Sequence, residues 1–110
     1  MAIIVGDIHG NLEKVKAFLA YKPEEQHVAL GDYFDSFTEP VKRQVNCFQL
    51  LLESKAILLW GNHDLHYLKV PPFICTGYQY KNEQLYRDLI EANKQRFLAA
   101  YVVDLSLIHI

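Results

Sequence analysis

At 110 residues the chain is the size of one modest domain, and 51% hydrophobic against 22% charged residues excludes a disordered chain. A formal net charge of -2 without any lysine or arginine block argues against a dedicated nucleic-acid or anionic-membrane binder, whose affinity leans on clustered cations. No apolar stretch approaches the ~20 residues of a spanning helix, and Cys47 and Cys75 lack zinc-ribbon or disulfide-framework spacing, so reduced thiols and a cytoplasmic address are expected.

Ala2 to Val5 is a short apolar run ending at Gly6, the pattern of a buried parallel strand. Asn11 is placed to cap a helix whose inner face is Leu12, Val15, Phe18 and Leu19, and Lys22-Pro23 ends it. His27 to Leu30 forms a second run, stopped by Gly31. Thr38 and Pro40 then open a second helix with Val41, Val45, Phe48 and Leu52 inside. Ala56 to Leu59, within Lys55 to Trp60, is a third run, stopped by Gly61. The order strand, helix, strand, helix, strand implies an α/β fold with right-handed parallel crossovers. Pro71-Pro72 and Thr76-Gly77 mark a loop. Leu85, Leu89, Ile90 and Phe97 predict a helix over 83–99, and Tyr101-Val102-Val103 predicts one more strand.

Each of the three strands runs into a cluster of polar ligands: Gly6-Asp7-Ile8-His9, Gly31-Asp32-Tyr33-Phe34-Asp35 and Gly61-Asn62-His63-Asp64. Spaced by about one βαβ unit of ~30 residues, the clusters fall at the carboxyl ends of neighbouring strands, where open α/β sheets bind ligands. Asp7 and His9 are two apart and can grip one ion, Asp32 has two oxygens with which to bridge a pair, and Asn62 offers a neutral oxygen to the second. His63 is placed to protonate a departing oxygen, with Asp64 or Asp35 holding its tautomer.

These residues resemble the calcineurin-like metallophosphoesterase superfamily, whose ordered motifs stand here as Asp7-Ile8-His9-Gly10, Gly31-Asp32-Tyr33-Phe34-Asp35 and Gly61-Asn62-His63-Asp64. The resemblance covers the N-terminal half of the usual domain. It implies the corresponding half of a four-layer αββα sandwich, a mostly parallel sheet with flanking helices, and two divalent ions, Mn, Fe or Zn. Asp7 and His9 would hold one ion, Asp32 would bridge and Asn62 would hold the other; His63 and Asp64 are the catalytic candidates. The implied reaction is hydrolysis of a phosphate ester, on a small molecule or a phosphoprotein, by a hydroxide bound to the dinuclear centre.

Ser36 and Asp64 stand where the protein serine/threonine phosphatase branch has arginine and glutamate, which favours the broad family over that branch. The family draws further histidines from a second sheet. Only His109 follows late in this chain, and residues 1–110 read as a phosphoesterase domain truncated at its C-terminus, a non-catalytic fragment with a partial metal site being the competing reading. A glycine-rich dinucleotide loop is excluded, since Gly6 and Gly10 lack a third partner and Asp7 would repel a diphosphate. His27 and His66 read as satisfied histidines, and Tyr33, Phe34 and Tyr67 as packing, ahead of functional roles.

Overall fold

The computed structural model describes residues 2–101 and the backbone of 107–109. Strand β1 (Ala2–Val5), helix α1 (Leu12–Ala20), strand β2 (Gln26–Ala29), helix α2 (Val41–Glu53) and strand β3 (Ile57–Leu59) alternate as the apolar runs predict. A one-turn helix α3 (Asn62–Leu65), helix α4 (Glu83–Ala92) and the short strands β4 (Phe97–Leu98) and β5 (Leu107–His109) follow. The strands form one sheet in the order β4-β3-β2-β1-β5, and every neighbouring pair is parallel.

Because β1 to β4 add in one direction, right-handed crossovers put α1, α2 and α4 on the same face of the sheet. That face carries the register row Val5, Ala29, Leu58 and Phe97, all buried. Above it pack Val15 and Phe18 of α1, Cys47, Phe48 and Leu51 of α2, and Tyr86 and Ile90 of α4. Each large side chain buried this way contributes about 1.5–3 kcal/mol of transfer free energy. Two aromatics from the second ligand cluster complete the core. Tyr33 sits against Phe48 and Phe97, with its hydroxyl donating to Leu59 O at 2.8 Å, and Phe34 stacks on Tyr86 at 4.2 Å between centroids. The opposite face is less covered: Ile4, Ile57 and Leu59 are half-buried and Leu98 is exposed. Among the described residues there is one sheet and one helical layer, where the resemblance implies half of a four-layer sandwich.

The predicted caps and stops hold in part. Asn11 Oδ1 accepts Lys14 N–H at 3.0 Å and starts α1. The second helix begins later than the Thr38 signal, at Val41, because Ser36 Oγ takes the N–H groups of Thr38 and Glu39 and holds them in a turn. The helix predicted over 83–99 ends at Ala92. Asn93 turns its amide back onto Leu89 O, a 3-10 turn follows over Lys94–Arg96, and Phe97 enters the core from β4 instead. Leu85, one of the residues whose spacing predicts the helix, is exposed, and Tyr86 with Ile90 does the packing. Tyr101 lies outside the strands, while Val102 and Val103 are outside the described residues. His109 stands in β5 in register with Ile4.

Candidate active site

The loops leaving β1, β2 and β3 meet backbone to backbone. His9 N–H donates to Asp32 O at 2.7 Å and Gly10 N–H to Tyr33 O at 2.8 Å. The glycines before the second and third clusters make that closeness possible. A β-carbon on Gly31 would lie 2.3 Å from Gly61 N, and one on Gly61 would lie 2.3 Å from Asp32 N. Gly31 also needs its φ of +102°, whereas Gly61 has an ordinary extended backbone and is there for space alone. The residues of these clusters are themselves strained: Asp7, His9, Asp32 and Asp35 all have positive φ, from 42° to 70°. Non-glycine residues adopt this region at a cost that surrounding contacts must offset.

Donor atoms of Asp7, His9 and Asp32 lie within 4.8 Å of one another. His9 Nδ1 is 2.7 Å from Phe34 O. A carbonyl only accepts, so Nδ1 carries the hydrogen and Nε2 is left as the ligand atom. Asp32 Oδ1 accepts His63 N–H at 2.9 Å, which fixes the carboxylate against the start of α3. Asn62, the fourth expected ligand, is the exposed first residue of α3, directly after the glycine that abuts Asp32. Two carboxylates and an imidazole this close repel without a cation and suit a hard or borderline divalent ion.

Beside this cluster His63 lies edge-on to His9, with ring centroids 4.9 Å apart. Its Nδ1 is 2.8 Å from Asp35 Oδ2. Asp35 is 3% exposed and takes two further contacts, His66 Nε2 at 2.6 Å on Oδ2 and the Tyr67 hydroxyl on Oδ1. The carboxyl ends of the first three strands thus hold a cluster with the donor set for an ion and, next to it, a histidine with a buried carboxylate behind it.

The sequence profile of calcineurin-like phosphoesterases matches residues 2–108. The chain belongs to this family. No curated protein and no solved structure is significantly similar to it. Membership makes this a domain of the metal-dependent phosphoesterases, and the Asp7, His9 and Asp32 cluster supplies candidate ligands for the divalent metals that the family uses. No helix among the described residues is long and apolar enough to cross a membrane.

Within this phosphoesterase domain the two acids considered as partners of His63 do different things. Asp35 makes the contact with the ring. Asp64 does not reach the ring in the way a catalytic orienter must: its Oδ2 accepts Asp32 N–H at 2.7 Å and Gly61 N–H at 2.9 Å, and its Oδ1 accepts Tyr33 N–H at 3.0 Å. It is a fully buried staple between the second and third loops. Burial pushes its carboxyl up to about 7, against the three N–H groups that favour the anion.

His66 and Tyr67, read from sequence as satisfied or packing residues, are fully buried and both contact the carboxylate behind His63. One local signal was available for His66. Spacing of three from His63 puts both rings on one side of a helical turn, and they lie 5.2 Å apart. The candidate site opens into a pocket of about 410 Å³ lined by His9, Asp35, Ser36, Phe37, Thr38, His63 and Thr76. Phe37 is 86% exposed at its rim. A larger cavity of about 530 Å³, lined by Glu24, Gln26, His27 and Lys55 among others, lies at the amino ends of β2 and β3, away from the ligands.

Proposed function

We propose that this chain hydrolyses phosphate esters with water, using a pair of divalent ions, manganese, iron or zinc. Asp7 and His9 would hold one ion and Asn62 the other, with Asp32 shared between them. When bound, such ions polarise the phosphate and lower the pKa of a water toward neutrality, which supplies the nucleophile. The chain's own residues do the rest. His9 is held in the ligating tautomer by Phe34 O. His63, with Nδ1 committed to Asp35, keeps Nε2 to give a proton to the departing oxygen. Asp64 sets the spacing of the loops that carry Asp32 and His63.

The observation that carries this reading is the adjacency of the two groups: an acid–imidazole–acid cluster and a carboxylate-backed histidine whose rings meet at 4.9 Å. The substrate is a phosphomonoester or phosphodiester, on a small molecule or a phosphoprotein. Among the described residues the lining of the pocket beside His63 includes no lysine or arginine, so the phosphate's charge would fall to the ions. The reading includes a cytoplasmic location, which the isolated spacing of Cys47 and Cys75 supports.

Metal analysis together with turnover of p-nitrophenyl phosphate and its bis ester tests the proposal. The expected result is about two Mn, Fe or Zn per chain, with activity removed by a chelator and restored by the metal. A second reading rests on the three clustered donors, Asp7, His9 and Asp32, which suffice for one ion held without turnover. One ion per chain and hydrolysis of neither ester at any metal concentration would establish that reading instead.

A further inference from the structure

We propose that His66 and Tyr67 are positioning residues for proton transfer, holding Asp35 as an aligned, uncompensated anion behind His63. The inference rests on the reading of His63 as proton donor and assigns work to two side chains that the metal chemistry does not use.

Three donors converge on the two oxygens of Asp35: His63 and His66 on Oδ2, Tyr67 on Oδ1. The protonation state of His66 follows from its other nitrogen. Nδ1 lies 3.1 Å from the backbone N–H of Cys75. That group only donates, so Nδ1 is bare and Nε2 carries the hydrogen given to Asp35. His66 is therefore the neutral tautomer, and burial lowers its affinity for a second proton. Tyr67 is also a neutral donor. Burial first, and its bond to Asp35 second, raise its hydroxyl well above the usual range. Neither partner cancels the carboxylate's charge, which leaves that charge to act on His63. A lysine or arginine in either place would satisfy Asp35 equally well and remove this effect.

Both positioning side chains are themselves held. Tyr67 stacks on Tyr78 at 4.6 Å with an interplanar angle of 24°, and His66 meets the edges of Tyr67 and Tyr78 at 4.4 and 4.8 Å. The Tyr67 oxygen accepts Gln79 N–H at 2.7 Å. Gln79 in turn donates to Ser36 O at 2.8 Å and accepts from the Tyr86 hydroxyl at 2.6 Å. The network matters because Asp35 sits at φ +70°, a conformation that local preference alone does not secure.

A structural role and a positioning role differ in their dependence on the leaving group. A poor leaving group needs the proton; p-nitrophenolate hardly does. In the manganese-loaded full chain, Tyr67→Phe and His66→Ala should lower kcat on phenyl phosphate about tenfold more than on p-nitrophenyl phosphate, with KM unchanged. His66→Gln, which keeps an N–H donor, should recover most of the loss. Metal-free protein gives a readout that needs no turnover. The downfield imidazole N–H proton resonance of His63, assigned by its loss in His63→Gln, should move upfield in Tyr67→Phe and vanish in His66→Ala. Equal losses on the two esters, or an unmoved resonance in folded Tyr67→Phe, would overturn the proposal. Should His66→Ala fail to fold, Tyr67→Phe decides alone. Should the wild-type chain hydrolyse neither ester, the proposed function fails while the resonance still judges the positioning.

Discussion

The two ends of the sheet use the same residue types under opposite conditions. At the amino end His27 is buried under Phe18, with Nδ1 2.8 Å from Glu25 O and Nε2 2.8 Å from Tyr21 O, so each nitrogen lies against a backbone carbonyl. At the carboxyl end His9 and His63 each have Nδ1 against one acceptor, Phe34 O and Asp35, which leaves Nε2 for other work. Backbone strain divides the same way. Among the described residues, four of the five non-glycine residues with positive φ are Asp7, His9, Asp32 and Asp35; the fifth, Lys22, follows α1, where a left-handed residue is a common helix exit. One end of the sheet encloses its histidine in the backbone, the other holds charged groups in postures they would not choose, which is how strain comes to gather at functional sites.

Substitutions at the two ends should therefore separate activity from stability. The largest effect is expected from Asp32→Asn: no measurable hydrolysis of p-nitrophenyl phosphate and a lower metal content, with thermal stability of the metal-free chain kept or raised because a carboxylate near Asp7 is gone. Retained turnover would refute the bridging role. Gly61→Ala comes next. Its backbone angles suit alanine, so the collision with Asp32 acts alone and should cost about 1–3 kcal/mol in urea melts, with turnover lost as the second and third loops are forced apart. At the other end His27→Ala should cost about 1–3 kcal/mol for its lost hydrogen bond to a backbone carbonyl and its lost packing on Phe18, and leave kcat unchanged. A fall in kcat there would mean that the two ends are coupled and the contrast is false.

Much of this contrast was readable beforehand. Three apolar runs, each stopped by glycine and followed by acids, amides and histidines, gave the alternation of strands and helices, the parallel pairing and the convergence of Asp7, His9 and Asp32. What stayed hidden was whatever depends on distant partners. Phe97 continues the helical spacing of Leu89 and Ile90, yet it reaches the same core from a strand, because a helix and a strand can each deliver an apolar group at that position. Asp64 sits beside His63 in sequence, but its carboxylate points to the loop 32 residues earlier, and Asp35 takes the place behind the ring. Tyr67 looks like any core aromatic until its hydroxyl is seen on a carboxylate 32 positions away.

The smallest expected effect concerns pH and sharpens the distinction between the neutral His66 and an ordinary exposed histidine. Burial lowers the native affinity of His66 for a proton below its usual 6.5, with Asp35 opposing. Above pH 6.5 both folded and unfolded chains carry it neutral and it adds no pH dependence. As pH falls from 6.5 toward the lowered native value, the unfolded chain binds a proton that the native one refuses, so stability drops at up to about 1.4 kcal/mol per pH unit. Asp64 works in the other direction, since its carboxyl, raised from 3.8 to about 7, keeps a proton in the native state and loses stability as pH rises through that window. A single melting curve mixes the two signs. The difference between wild type and His66→Gln isolates one: it should be flat above pH 6.5 and decline below it, and a difference that stays flat down to pH 5 would mean that His66 takes up its proton in the folded chain as readily as in the unfolded one.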